Sequence, residues 1–500
     1  MIGKINKIFH TPNWLFVLLA AVLILRIPSF FEPYSYGDEL IYLALGEGIR
    51  QGIPLYSGIH DNKPPLLYIT AAIAGNLFWF KAILAFWHII TVFIFWKLSE
   101  VLFPKKEKTQ IVATSIFALL TTIPLLEGNI VNAELFMIGP TILAFYILLT
   151  KKLTSKNLLL SGFLLSISAL FKIPAAFDIP AIVIYWLIIQ NKLDIRSLLK
   201  VAKRAFIILI GFAIPIGLTF IWFYLSGSFK EYLVAAFLQN FGYLSSWRPD
   251  DVQKPFLEKN GPLLMRAGIV ALASLILYLK RKRLSKEFMF ATIWLFLSLF
   301  AVTLSERPYP HYLIQSVAPI AILAAILFTS AKIEQVYTMI PLFFAAFIPF
   351  YFHFYHYETF SYYNRFIKLA SGQITKQNYL NTFGSQVPRN YEVAKFVVSS
   401  TDKKDKIFVW GDGVPIYALS DRLPPGKYVA DYHIKDFSSN SETLEVIKKN
   451  MPELIIILPD SNPFIELDYF IKKNYGLSEN IDGAQIWKLL STSMRAIFSY

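Results

Sequence analysis

The 500-residue sequence contains no cysteine, and only 16% of its residues are charged. Without thiols there are no disulfides and no thiolate metal sites, and the redox compartment cannot be read from cysteine usage. No internal repeat and no Gly/Ser-rich linker divides the chain. The opening MIGKINKIFHTPNWLFVLLAAVLILRI is basic and then apolar but has no small-residue cleavage site, so it is expected to persist as a first span with the N-terminus in the cytoplasm. What is present is apolar: 55% of residues are hydrophobic, with 44 Phe, 27 Tyr and 10 Trp. That excludes an ordinary soluble fold and predicts an α-helical polytopic membrane protein. The formal charge of +14 does not point to nucleic acid, because the Lys and Arg residues sit in short clusters between apolar segments, where they set membrane orientation.

A spanning helix needs about 20 mostly apolar residues. Segments 14–31, 82–103, 110–126, 135–150, 157–171, 173–190, 205–225, 262–279, 288–304, 312–330 and 336–352 meet or approach that length, predicting about 11 transmembrane helices. The connections alternate in character. One kind is basic: Lys105, Lys106 and Lys108; Lys151, Lys152 and Lys156; Lys192 to Arg204; Lys280 to Lys286; Lys332. The other is acidic, aromatic or mixed: 32–63, Glu127 to Glu134, Lys172, 226–261 and Ser305 to His311. Starting inside at Lys4 and Lys7, alternation places every basic cluster in the cytoplasm. This requires that the apolar stretch Pro64 to Phe80 lie at the interface or dip in and out without crossing.

Three regions follow: a transmembrane domain over 1–352, whose first outer loop with its dipping helix is 32–80; an aromatic interfacial linker over 353–390; and an extracytoplasmic α/β domain over 391–500. In the last, VAKFVVSS and SETLEVIKKN are expected helices, the second capped by Ser441 with Glu442 in its first turn. KIFVWG, ELIIILPD and GAQIWKL are expected strands.

The outer loops hold the chemistry-bearing residues. The first packs Asp38, Glu39, Glu47, Arg50, His60, Asp61 and Lys63 into a short stretch beside a membrane segment, where ionisable groups are costly and tend to line a cavity or bind something. Two readings of Asp38–Glu39 stand: acids favoured at a helix N-terminus, or one carboxylate aimed into a cavity while the other braces the helix. Lys63, before Pro64 and Pro65, suits either a lipid-linked phosphate or snorkelling to headgroups. Glu127, Asn129, Asn132 and Glu134 stand at the mouth of two spans. Lys172 interrupts ALFKIPAAFDIP, a cation where the orientation rule disfavours one. Arg307, Tyr309, His311 and Tyr312 offer a phosphate clamp at another mouth. The loop containing QNFGYLSSWRPDD, with Arg248, reads as an acceptor lid or as a plain interface loop.

The run GDELIYLALGEGIRQGIPLY followed by HDNKPPLLY resembles the first extracytoplasmic loop of the glycosyltransferase C superfamily, nearest to the dolichyl-phosphate-mannose protein mannosyltransferases and the bacterial lipid A aminoarabinose transferases. NIVNAELF and RPYPHYLIQSVAP resemble later loops of that family, and VWGDGVPIYALSDRLPPGKYV resembles the C-terminal domain of its bacterial members. The resemblance implies an enzyme that transfers a sugar from a polyprenyl-phosphate donor to an acceptor hydroxyl on a lipid, protein or glycan at the outer face, with inversion. Carried over by position, Asp38 is the catalytic base, Glu39 supports it, and Lys63 holds the donor phosphate. Lys172 and Arg307 are added as cations for the leaving phosphate, and His60, Asp61, Glu134, Tyr309 and His311 as pocket residues. Lipid A relatives often carry an acid immediately before the loop lysine; here Asn62 stands there, with Asp61 one position earlier. No cofactor or metal is expected, and a prokaryotic plasma (inner) membrane is the expected location. A multi-span lipid or glycan flippase is the competing class, although no pair of Gly/Pro-broken helices repeats in two halves.

Overall fold

The computed structural model describes residues 11–242, 255–330, 333–459 and 461–497. Lys4, Lys7, Arg248, Lys332 and Asp460 of the sequence-based expectations lie outside these residues.

Among the described residues, six helices are long and apolar enough to cross a membrane: Asn13–Phe31, Leu77–Leu102, Ala133–Thr150, Ile195–Leu225, Phe256–Lys280 and Pro310–Thr329. The other expected spans are shorter as helices, with Glu107–Leu120, Ser155–Phe171, Ile179–Ile188, Lys286–Val302 and Met339–Tyr351 in their places. The shortening has local causes. Pro174 sits in a 3-10 turn, Ile173–Asp178, that separates Ser155–Phe171 from Ile179–Ile188, since proline supplies no N–H to continue a helix. Pro124 likewise opens a separate 3-10 turn after Leu120. Lys286–Val302 is buried almost throughout, so protein rather than lipid surrounds it.

The outer face shows what solvent the fold requires. Leu218, Ile221, Trp222, Leu225, Leu272 and Leu275 are all more than half exposed on Ile195–Leu225 and Phe256–Lys280. An apolar surface of this extent is stable against lipid, and the protein is a membrane protein.

The first outer loop forms two packed helices. Gly37–Arg50 begins with Asp38 and Glu39 in its first turn and ends with Arg50 in its last, matching the helix dipole at both ends. It lies on Leu66–Ala74, where a side chain at Gly46 would sit 2.7 Å from the Ala72 backbone nitrogen, so only glycine allows this approach. Leu66–Ala74 has nine residues, about 13 Å of helix and under half of a bilayer core. Gly75, at φ 77°, stops it in the left-handed region.

After Tyr351, helices Thr359–Ala370 and Lys376–Asn381 precede Gln386–Ser400, so the expected boundary at 390 falls inside a helix. The terminal sheet has strands β1 Ile407–Trp410, β2 Leu454–Ile457, β3 Tyr475–Ile481 and β4 Ala484–Leu489 in the order β1-β2-β4-β3. β1 and β2 pair in parallel through a helical crossover, and β4 runs antiparallel to both β2 and β3. The helix Asn440–Lys449 is capped by Ser439, whose hydroxyl accepts the Glu442 N–H, and not by Ser441. Ser441 lies one residue inside the helix, where its own backbone is already helical.

Candidate active site

Asp38 and Glu39 part company because adjacent helical residues point to different faces. Glu39 turns inward and is 1% exposed; its carboxylate accepts the Val131 N–H at 2.6 Å and meets Lys81 Nζ at 3.0 Å. Lys81 also pairs with Glu32 at 2.6 Å, and Glu32 accepts from Asn129 at 2.7 Å and from the Tyr362 hydroxyl. This buried, fully bonded cluster ties the first outer loop to the Leu77–Leu102 helix, the second outer loop and the linker. Asp38 turns the other way and keeps 31% of its side chain exposed.

Around Asp38 a second polar set assembles. Tyr42, one turn on, donates to its Oδ2 at 2.8 Å. Lys63 Nζ lies 3.8 Å from Asp38 and 3.7 Å from Asp61, so the lysine hangs between two carboxylates, over the Tyr42 ring. The backbone of Lys63 is held by tyrosines: Tyr56 donates to its carbonyl and its own N–H donates to the Tyr68 hydroxyl. Asp61 is 2% exposed and accepts from Tyr68 and from the Asn62 N–H, both at 2.7 Å. Burial opposes its charge, but Lys63, His433, Tyr68 and Asn62 outweigh burial and bring its pKa down to about 2. For Asp38, burial and Asp61 push upward, yet Lys63, His311 and Tyr42 hold it below the ordinary aspartate value. Asp38 is therefore ionised at neutral pH.

Lys63 and Lys172 open onto one cavity of about 460 Å³. Its lining includes the two lysines, Asn62 and Glu134 together with Met137, Phe177, Phe237 and Phe300. Lys172, released from helix by the Pro174 turn, pairs with Glu134 and lies 3.7 Å over the Tyr312 ring. Behind them, Glu127 takes a left-handed backbone at φ 57°, accepts from Tyr36 at 3.0 Å and pairs with His311 Nδ1; Nε2 of the same ring is 3.9 Å from Glu134. The site is thus a partly exposed carboxylate beside Lys63, with Lys63 and Lys172 both lining a mostly apolar chamber; Asp38, Asp61 and His311 stand outside the residues that line it. Such a chamber suits an anionic group with a hydrocarbon tail. Among the described residues no three His, Asp or Glu side chains converge to hold a metal ion.

The whole chain overlays ArnT from Cupriavidus metallidurans bound to undecaprenyl phosphate, with a TM-score of 0.56 over 96% of this chain and 98% of that one, at 11% identity. The apo state of the same protein gives 0.54 over 95% and 97%, at 12% identity. The chain therefore shares the fold of ArnT. The archaeal oligosaccharyltransferase AglB from Archaeoglobus fulgidus, in complex with an inhibitory peptide and a dolichol-phosphate, overlaps at 0.43 over 90% and 70%, at 12% identity. A family model described as "Putative competence-induced protein Ccs4 C-terminal domain" matches residues 389–489. No curated protein matches the chain in sequence.

Within this fold, Asp38, Asp61, Lys63, Lys172, Glu134 and His311 come together. His60 is buried in the seam with the C-terminal domain, its ring edge-on to Tyr428 and Phe437. Arg307 is exposed and, with Tyr309, stands outside the residues lining the cavity; Tyr309 stacks on His311. Sequence reasoning missed Glu32, Lys81, Tyr42, Tyr68 and His433. Lys81 carried a signal, a lone lysine in LFWFKAILAF like the one at Lys172, but the expected span began at 82 and left it out.

Proposed function

We propose that the protein is an integral membrane glycosyltransferase that moves a sugar, a hexose or pentose, from a polyprenyl-phosphate donor to an acceptor hydroxyl at the extracytoplasmic face, with inversion. The observation that carries this is the partly exposed Asp38, 3.8 Å from Lys63, a lysine that lines a cavity with mostly apolar walls. A polyprenyl phosphate has the same division, an anionic head and a hydrocarbon tail, and ArnT, of the same fold, is bound to undecaprenyl phosphate. Asp38 takes the proton from the acceptor hydroxyl as that oxygen attacks the anomeric carbon. The bond from that carbon to the phosphate oxygen breaks, and its electron pair leaves on the polyprenyl phosphate. Lys63 and Lys172 offset the charge that develops there, with Glu134 holding Lys172 in place. The phosphate also weakens the hold of Lys63 on Asp38 and so makes the carboxylate a stronger base when donor is bound.

We infer inversion because a direct displacement with Asp38 as the base turns the anomeric centre over. In this reading the two lysines do the work of a divalent cation, and no metal is required. Arg307, outside the cavity, is left out of the phosphate site, and the acceptor is a lipid, protein or glycan.

The test is Asp38→Asn in the full chain, assayed with a polyprenyl-phosphate-linked sugar. Transfer is expected to fall by about 10²-fold or more while membrane insertion and lipid-phosphate binding persist. Transfer at the wild-type rate would overturn the assignment of the base. Translocation of lipid without transfer in either form would establish the flippase class instead.

A further inference from the structure

The C-terminal domain is fastened to the first outer loop at the residues that carry the proposed reaction. The His60 N–H donates to the Lys427 carbonyl at 2.8 Å, and the His60 ring packs on Tyr428 and Phe437. One residue further along the loop, His433 of the Asp431–Phe437 helix sets Nε2 3.5 Å from Asp61 Oδ1. The His433 ring is 4% exposed and wedged by Tyr432 at 4.4 Å and Phe437 at 5.8 Å, so its orientation is fixed. Its Nδ1 has no hydrogen-bond partner among the described residues. The polar contact of this buried ring is therefore directed at Asp61.

Asp61 is also one of the two anchors of Lys63. Every group that offsets the Asp61 charge loosens its grip on the lysine and leaves more of the lysine charge facing the cavity. Tyr68 and Asn62 do this from within the loop; His433 is the contribution from outside it.

We propose that the C-terminal domain completes the reaction centre, with His433 as a positioning residue that directs Nε2–H to Asp61 and so keeps Lys63 poised between Asp61 and Asp38, turned toward the lipid phosphate. This rests on the transferase reading above. The groups facing His433 are Asp61, Lys63 and Asp38 of the transmembrane domain, His60 beside it, and Asp436 on its own helix. Burial lowers the His433 pKa, and with Lys63 it outweighs the upward pull of Asp61, Asp38 and Asp436. The ring is neutral at pH 7 and turns Nε2 toward Asp61 as a polar group, not as a competing cation.

The experiment measures the Kd for undecaprenyl phosphate with the full chain in nanodiscs, for wild type, His433→Ala and His433→Gln, each also in an Asp61→Asn background. Losing a polar contact to a buried charge predicts about tenfold weaker binding for His433→Ala, with glutamine restoring most of it. In the Asp61→Asn background His433→Ala is expected to have no effect, because the two act as one unit. Equal affinity in wild type and His433→Ala, or the same loss in both backgrounds, overturns the proposal. A wild type that binds the lipid and transfers no sugar would instead sink the transferase reading, and the affinity comparison would still decide the role of His433.

Discussion

A carboxylate that is 2% exposed keeps its charge only where nearby donors and cations replace the water it has lost. At Asp61 the replacements are Tyr68, Asn62, Lys63 and His433. They hold the folded-state pKa near 2, below the unfolded value of about 3.9. A depressed carboxylate pKa gives stability that is fully present above the unfolded value and is lost as pH falls through the folded one. The gap corresponds to about 2–3 kcal/mol. Asp61→Asn should therefore lower the thermal midpoint in detergent at pH 6, and the difference from wild type should shrink steadily between about pH 4 and pH 2. A difference that stays constant over that range would mean that the Asp61 charge contributes nothing to the fold. Asp38, with its lowered pKa, stays ionised throughout the physiological range, so its titration should leave no step in a rate profile between about pH 5 and pH 8.

At the scale of elements, the helices Ser155–Phe171 and Ile195–Leu225 approach so closely that each needs a glycine at the crossing. A side chain at Gly162 would lie 2.0 Å from the Ile208 carbonyl oxygen, and one at Gly211 would lie 2.2 Å from that of Leu159. Small residues at a crossing give membrane helices their packing, because lipid supplies no hydrophobic drive between them. Gly217, on the same long helix, has open space around it. Gly211→Ala is expected to cost about 1–3 kcal/mol by forcing the helices apart, while Gly217→Ala should be neutral or stabilise by up to about 1 kcal/mol through helix propensity. Thermal midpoints of the two variants, purified alike, check this, and equal shifts would refute the crossing. Neither glycine was legible in the sequence, since what requires it is a backbone on another helix. The same reason hid β3: its YGLSENI has a mostly exposed, edge-strand pattern with a bulge between Leu477 and Glu479, so no clean alternation marks it. β1 and β2 are buried on both faces and announced themselves as the short apolar runs IFVW and LIII.

At the scale of the molecule, local charge density in the first outer loop was enough to single out Asp38, Asp61 and Lys63, and a broken apolar run was enough for Lys172. His433 was out of reach, because only the docking of the C-terminal domain brings it to Asp61. That docking also fixes which parts share a side. The helix Ala133–Thr150 has Glu134 of the site at one end and Lys151 and Lys152 just past the other, about 27 Å apart along its axis. Lys286–Val302 likewise runs from the cluster Lys280 to Lys286 toward Ser305 at the cavity. The basic loops therefore lie at the opposite end of the helices from the site and the C-terminal domain. From the preference of cationic loops for the cytoplasm we propose that the reaction centre faces outside. The chain has no cysteine, so a single introduced thiol is its only reactive label. Lys152→Cys and Lys282→Cys should react with a membrane-impermeant maleimide only after permeabilisation, and Lys448→Cys, exposed on the C-terminal domain, in intact cells. Labelling of all three under one condition would contradict this arrangement, and labelling in the reverse order would place Asp38 in the cytoplasm and remove the basis for an extracytoplasmic acceptor.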